Sequence, residues 1–120
     1  MYEVEVEISF PASHQVTVDG VDEDLHEHNW AVRARLSGEK LDADGLLVDF
    51  IAVKKLLAEI ADKLKERDLA EVPDLAGLNP SAENVACYFY QQLTEKLSQD
   101  VCLTAVSVQE APGCWASYRP

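Results

Sequence analysis

The fold class that the sequence predicts is α+β: an antiparallel four-stranded sheet with two helices packed on one face, in the order ββααββ. Three observations predict it. Residues Glu3 to Phe10 alternate strictly, the periodicity becomes helical at Asp49, and a β-branched run returns at Val101. In the first strand Val4, Val6, Ile8 and Phe10 point one way, and Glu3, Glu5, Glu7 and Ser9 the other. A period of two with one charged face marks an antiparallel strand solvated on one side. Pro11 ends regular pairing, and Val18-Asp19-Gly20 through Asp24 forms a polar loop. The second strand runs from about Leu25 to Leu36, with His26, His28, Trp30, Val32, Ala34 and Leu36 on one face and Arg33 and Arg35 outward. Turn residues follow from Ser37-Gly38 to Asp44-Gly45, then a short apolar stretch from Leu46 to Val48.

From Asp49, a predicted N-cap, the apolar residues Phe50, Val53, Leu57, Ile60 and Leu64 recur at steps of three and four. This helix is expected to end near Arg67. Ala70 to Leu78, with Pro73 and Gly77, is too broken for an element. Asn79-Pro80 reads as a cap followed by a first-turn proline, opening a second helix through Val85, Ala86, Phe89, Leu93 and Leu97. Val101 to Val108 is the third strand, Pro112-Gly113 a turn, and Cys114 to Tyr118 the last strand. Without internal repeats or low-complexity linkers, residues 1–120 are expected to form one domain. Two helices covering one face of an antiparallel sheet is the simplest arrangement of these elements.

The composition narrows the function. The chain has 120 residues, with 22 acidic side chains against 10 Lys and Arg, a formal charge of −12. Phosphate backbones and anionic membrane surfaces repel such a body, so neither nucleic acid nor membrane is an expected partner. No apolar run reaches the roughly 18 residues of a membrane span, and Met1 leads into Tyr2-Glu3-Val4-Glu5 rather than a signal peptide. A cytoplasmic location is expected. Cys87, Cys102 and Cys114 are odd in number and lack CxxC spacing, which argues against a disulfide framework or a thiol zinc site.

All three histidines, His14, His26 and His28, lie within fifteen residues. His26 and His28 project from the same strand face, and His14 keeps the parity of Val4 to Phe10 unless Pro11 disturbs it. If the two strands pair as a hairpin, the three imidazoles converge. Three neutral imidazoles are the ligand set of a catalytic zinc, which keeps a further position open. The pattern H-x11-H-x-H taken alone also fits three unrelated polar loop residues.

Five segments in order resemble one family. They are Phe10-Pro11-Ala12-Ser13-His14, Leu25-His26-Glu27-His28-Asn29-Trp30, Gly45-Leu46-Leu47-Val48-Asp49-Phe50, Asn79-Pro80-Ser81-Ala82-Glu83-Asn84 and Val106-Ser107-Val108-Gln109-Glu110. Together they are similar to the signatures of the 6-pyruvoyltetrahydropterin and 6-carboxytetrahydropterin synthases. The resemblance implies a tunnelling fold (T-fold) and a pterin substrate such as dihydroneopterin triphosphate. It also implies trimers or hexamers with active sites between subunits, an assembly that would pair otherwise exposed sheet edges. It makes His14, His26 and His28 zinc ligands and Glu110 the anchor of the pterin ring, with Ser81 and Glu83 as further pterin-binding positions. A carboxylate suits an anchor because it can accept two parallel N–H bonds from the ring edge. A solvated glutamate at a strand end is the other reading of Glu110.

The departures bear on the chemistry. Where the family carries a cysteine shortly before the HxH pair, this chain has Val21-Asp22-Glu23-Asp24, with Asp22 four residues before His26. Where it carries an Asp-His pair, this chain has Lys65 and Glu66, and the glycine between the zinc histidines is Glu27. Asp22, Glu27 and Glu66 are therefore the candidate catalytic carboxylates, since burial can raise a carboxyl into the range of a useful base. They also fit loop surface in so acidic a chain. Lys54, Lys55, Lys65 and Arg67 are candidate donors to the substrate's phosphates, or else an ordinary solvated helix face. The expected activity is a zinc-dependent lyase of the tetrahydropterin synthase type. Two alternatives are another reaction on a pterin-like ring, such as aldol cleavage with Glu27 or Glu66 in place of Cys and His, and a non-catalytic pterin-binding hexamer.

Overall fold

The computed structural model describes residues 1–120. Strands β1 (Tyr2–His14), β4 (His26–Gly38), β5 (Cys102–Ala111) and β6 (Cys114–Tyr118) form an antiparallel sheet in the spatial order β1-β4-β5-β6. Helices α1 (Phe50–Ala61) and α2 (Ala82–Lys96) cover one face. Their buried stripes, Val53, Leu57 and Ile60 on α1 and Val85, Phe89 and Leu93 on α2, meet Val6, Phe10, Trp30, Val32, Leu36, Val106 and Val108 from the sheet. The opposite face is polar, and Arg33 and Arg35 there bond Glu7 and Glu5 across the β1–β4 pair.

Several expectations need correction. Pro11 does not interrupt β1, whose register with β4 runs unbroken from Tyr2↔Gly38 to His14↔His26. β1 is an edge strand, so the N–H that proline lacks is not needed by the ladder. The Pro11 carbonyl instead accepts the Glu66 N–H at 2.7 Å, and the Ser13 N–H donates to the Arg67 carbonyl at 2.8 Å. The expected loop after β1 contains a small hairpin, β2 (Thr17–Val18) and β3 (Val21–Asp22). Asp19 and Gly20 turn it with φ of 52° and 76°, the left-handed pair that a two-residue hairpin turn requires.

Helix α1 stops at Ala61, well short of Arg67. Its last turn tightens into three-residue steps, Lys63 N–H to Ile60 and Leu64 N–H to Ala61, before Glu66 reverses the chain at φ 59°. Phe50, assigned to the buried stripe, is 53% exposed. Asp49 does cap α1, accepting the Ile51 N–H at 2.9 Å. Helix α2 is capped by Ser81 rather than Asn79, its hydroxyl accepting the Asn84 N–H at 3.2 Å. The Asn79 side chain is used elsewhere, paired with both backbone groups of Thr17. The segment judged too broken for an element holds two single-turn 3-10 helices, Leu69–Glu71 and Pro73–Leu75.

Candidate metal centre

The unbroken β1–β4 register places His14 opposite His26 and Ala12 opposite His28. All three imidazoles therefore emerge on the helix-covered face at one end of the sheet. Neighbouring ring centroids are 4.5 to 5.3 Å apart. His14 is fully buried, and His26 and His28 are partly open. Trp30 lies behind them, its ring 4.8 Å from that of His14, and its indole N–H donates to the Ala12 carbonyl.

Strand β5 supplies the fourth donor. A register shift against β6 between Gln109 and Ala111 leaves Glu110 without a cross-strand partner. Its parity with Val106 and Val108 turns the carboxylate toward the imidazoles. Oε1 lies 2.8 Å from His14 Nε2, 3.3 Å from His28 Nε2 and 3.8 Å from His26 Nε2. The donor atoms of these four residues all lie within 4.8 Å of one another.

The backbone fixes the proton positions on two of the rings. His14 Nδ1 lies 2.8 Å from the Pro80 carbonyl and His26 Nδ1 lies 2.7 Å from the Asp24 carbonyl. A carbonyl can only accept, so Nδ1 carries the hydrogen and Nε2 of the neutral ring presents a lone pair to the cluster. His14 Nε2 is buried without a hydrogen-bond partner, because Glu110 is near in distance but not aligned as one. Imidazole lone pairs and a carboxylate oxygen facing one another without a proton between them repel unless a cation joins them. Outer-sphere carbonyls that orient the rings in this way are the usual support of a histidine metal site. The donor set, nitrogen and oxygen without sulfur, fits a zinc ion.

The remaining candidates lie outside the cluster. Glu27 sits on the solvent face of β4, pointing away from His26 and His28 by the alternation of the strand. Within the subunit Glu27 therefore does not join the cluster. Asp22 accepts the Thr17 hydroxyl at 2.5 Å and braces the small hairpin. Glu66 is exposed beside Pro11, and neither a hydrogen bond nor an ion pair links its carboxylate to the histidines. The Ser81 hydroxyl is occupied as a helix cap, while Glu83 is exposed in the first turn of α2. Glu110, expected as a ring anchor, stands beside the imidazoles and is partly exposed. Lys54, Lys55, Lys65 and Arg67 are all exposed, with Lys65 paired to Asp62.

One residue near the cluster was missed. Glu23, at the exit of the hairpin, holds its Oε1 3.6 Å from His26 Nε2, and the same oxygen accepts the Val16 N–H at 3.2 Å. Its position three residues before His26 was the available signal. In a run of three acids outside a regular strand, parity could not single it out. A cavity of about 710 Å³ lies at the opposite end of the sheet, between the Glu39–Asp49 connection and the α2–β5 turn. No donor cluster is found among its lining residues, so the histidine end is the candidate for chemistry.

Fold and site together define a small α+β subunit that gathers three imidazoles and a carboxylate into one cluster with the donor set of a metal site. The family model described as 6-pyruvoyl tetrahydropterin synthase matches residues 3–120, and the chain belongs to that family. It is therefore a tetrahydropterin-synthase-type protein of pterin chemistry, within a family of enzymes. It is 30% identical over 102 residues to dihydroneopterin monophosphate aldolase of Pyrococcus furiosus, covering 85% of this chain and 83% of that one. It is 28% identical over 126 aligned positions to 6-carboxy-5,6,7,8-tetrahydropterin synthase of Bacillus subtilis, covering 99% and 86%. The structure of 6-pyruvoyl tetrahydropterin synthase from Caenorhabditis elegans superposes with a TM-score of 0.85 at 24% identity, covering 99% and 95%. That likeness establishes the T-fold subunit. No helix is long and apolar enough to cross a membrane.

Proposed function

We propose that this protein is a zinc-dependent lyase that cleaves the side chain of a phosphorylated dihydroneopterin between its two ring-proximal carbinol carbons, a retro-aldol reaction. One observation carries the reading: the three Nε2 atoms and Glu110 Oε1 converge, a second carboxylate, Glu23, stands beside them, and the cluster contains no thiol and no further histidine. Cys87, Cys102 and Cys114 lie on α2, β5 and β6, and none belongs to the cluster or stands shortly before His26 where the family's cysteine would.

A tetrahydropterin synthase that isomerises its substrate must move protons on carbon, the work that the resemblance assigns to the missing Cys and Asp-His groups. Retro-aldol cleavage asks less of the protein. A base removes the proton of the hydroxyl farther from the ring. The carbon–carbon electron pair then moves to the carbon attached to the ring, where conjugation with the ring C=N accepts it. That carbon is then reprotonated, giving a hydroxymethyl dihydropterin and a two-carbon hydroxyaldehyde that carries any phosphate. A carboxylate is base enough for a polarised hydroxyl.

His14, His26 and His28 would hold the zinc ion, which when bound supplies Lewis-acid polarisation of the side-chain hydroxyls. Glu23, tethered by the Val16 N–H, is placed to take the hydroxyl proton. Glu110, at the inner end of β5 beside the imidazoles, would receive the ring's paired N–H groups, with the exposed Glu83 of the first turn of α2 as a second candidate. Arg67, whose carbonyl holds Ser13 one residue before His14, is the basic residue best placed for the phosphate. Apart from the Pro11 and Ser13 bonds to Glu66 and Arg67, the outer edges of β1 and β6 are unpaired within the subunit, which favours a trimer or hexamer with sites between copies. The similarity to the Pyrococcus aldolase supports carbon–carbon cleavage over carboxytetrahydropterin formation.

The test is to incubate zinc-loaded protein separately with dihydroneopterin monophosphate and triphosphate and to identify the products by mass spectrometry. Hydroxymethyl dihydropterin with a phosphorylated two-carbon aldehyde is expected. A 6-carboxytetrahydropterin product would refute the aldol reading, and an unchanged bound ligand would reduce the protein to a binding module.

A further inference from the structure

We infer that Asn79 is a positioning residue: its side-chain amide tethers the β2–β3 hairpin and so sets where Glu23 stands relative to the histidine cluster. The inference rests on the reading above that Glu23 takes the hydroxyl proton.

The hairpin has no apolar anchor of its own. Val18 and Val21, which face each other across it, are 58% and 69% exposed, and Leu25 beyond it is exposed as well. Its internal bonds make it stiff: the Glu23 N–H donates to the Val16 carbonyl at 3.0 Å, Glu23 Oε1 accepts the Val16 N–H, and Asp22 accepts the Thr17 hydroxyl. None of these ties it to the rest of the subunit. That task falls to Asn79, whose Oδ1 accepts the Thr17 N–H at 2.9 Å while its Nδ2 donates to the Thr17 carbonyl at 3.1 Å. An amide that meets both backbone groups of one residue pairs with it as a neighbouring strand would, fixing orientation as well as distance.

Asn79 is itself held from the other side. Its carbonyl accepts Asn84 Nδ2 at 2.7 Å and the Ser81 N–H at 2.8 Å, and α2 is rooted in the core through Val85 and Phe89. The next residue, Pro80, gives its carbonyl to His14 Nδ1 at 2.8 Å. One dipeptide therefore orients a ring of the cluster with its backbone and the hairpin with a side chain, so that base and imidazoles share a frame. Such a frame matters because a misplacement of about 1 Å can cost on the order of 100-fold in rate. Asn79 is exposed, and Ser81 caps α2, so truncating the Asn79 side chain removes the tether without opening the core or uncapping the helix.

The test joins amide exchange by NMR, on the full chain without substrate, to kinetics. In the wild type the Thr17 amide is expected to be protected. In Asn79→Ala the Val16, Thr17 and Glu23 amides should exchange at least about tenfold faster, while Val32 and Ala34 in the middle of β4 do not change. On zinc-loaded protein Asn79→Ala should lower kcat about tenfold. Added to Glu23→Gln, it should lower kcat by no more than about twofold further, since it positions a group already disabled. Unchanged hairpin exchange in Asn79→Ala, or losses that multiply in the double variant, would overturn the inference. So would a wild-type Thr17 amide that exchanges as fast as in an unfolded chain, a result available even if the variant does not fold. Full kcat in Glu23→Gln alone, with hairpin exchange still dependent on Asn79, would instead overturn the base reading and, with it, this positioning role.

Discussion

Replacing Glu23 by Gln tests the proposed base with little disturbance of the fold. The glutamine carbonyl can still accept the Val16 N–H, now bonded at 3.2 Å, and the Glu23 N–H to Val16 carbonyl bond at 3.0 Å is untouched. The hairpin that carries the residue should therefore persist. Glu23 Oε1 is 3.6 Å from His26 Nε2, so it stands alongside the ring and does not complete the cluster that Glu110 completes. Metal content should accordingly remain that of the wild type. What the substitution removes is proton acceptance, and loss of a positioned base costs about 10²–10⁴-fold in kcat. That range corresponds to about 2.7–5.5 kcal/mol of barrier. The assay is steady-state release of the two-carbon aldehyde from dihydroneopterin monophosphate, with zinc quantified on the same samples. A kcat within about threefold of wild type at full zinc loading would refute the assignment, since general-base catalysis supplies far more than that. A parallel loss of zinc would refute it as well, because Glu23 would then be a ligand.

Three further outcomes are expected. Glu27→Gln should leave kcat within about twofold of wild type, because residue 27 faces away from the imidazoles on alternating β4; a hundredfold loss would show that the residue acts on a site in another copy. Tyr88 is held protonated above the ordinary tyrosine range, chiefly by burial, then by its hydrogen bond to Asp74 and that carboxylate's charge. The folded state thus keeps a proton that the unfolded chain releases, so this contribution is complete below about pH 10 and is lost as pH rises from there. Denaturant titrations across that window should show a shallower alkaline loss of stability in Tyr88→Phe, and an unchanged slope would contradict the linkage. Phe89→Ala, at a fully buried ring packed 5.8 Å from Phe10 and 6.0 Å from Tyr88, should cost about 3–5 kcal/mol in urea unfolding; a cost below about 1.5 kcal/mol would mean that the core collapses around the cavity.

The sheet was legible in the sequence because period two is a direct record of one buried face. Val6, Phe10 and His14 on β1, and Trp30, Val32 and Leu36 on β4, are buried as their parity requires. The convergence of the histidines followed from the same rule once β1 and β4 paired as a hairpin. Termini were less legible, because they depend on local backbone geometry and not on a repeating pattern. Leu64 continues the apolar spacing of α1 and is buried, yet it lies in the turn beyond Ala61. The capping role fell to Ser81 because Asn79 was recruited by Thr17, a partner 62 residues away that no local reading exposes. The candidate catalytic carboxylates were the hardest. Glu27 drew attention by lying between two ligands, but that adjacency puts it on the opposite face. Glu23 reaches the cluster through a hairpin whose turn brings Val16 and Glu23 together, a contact decided by Asp19 and Gly20.

The charge of the site explains how such chemistry could dispense with a thiol. Three neutral imidazoles, two carboxylates and a dication sum to zero, a balance suited to a half-buried position where unpaired charge is costly to desolvate. A divalent ion held by the imidazoles would favour the ionised form of a nearby hydroxyl, so the proton would be easier to remove once the substrate is in place. Glu23 would then accept a proton from a group already biased to release it, a task within reach of an ordinary carboxylate. On this account Glu23→Gln and removal of the metal should each abolish turnover by slowing the same step, and a variant that loses Glu23 yet responds to the metal with full turnover would show that another group takes the proton.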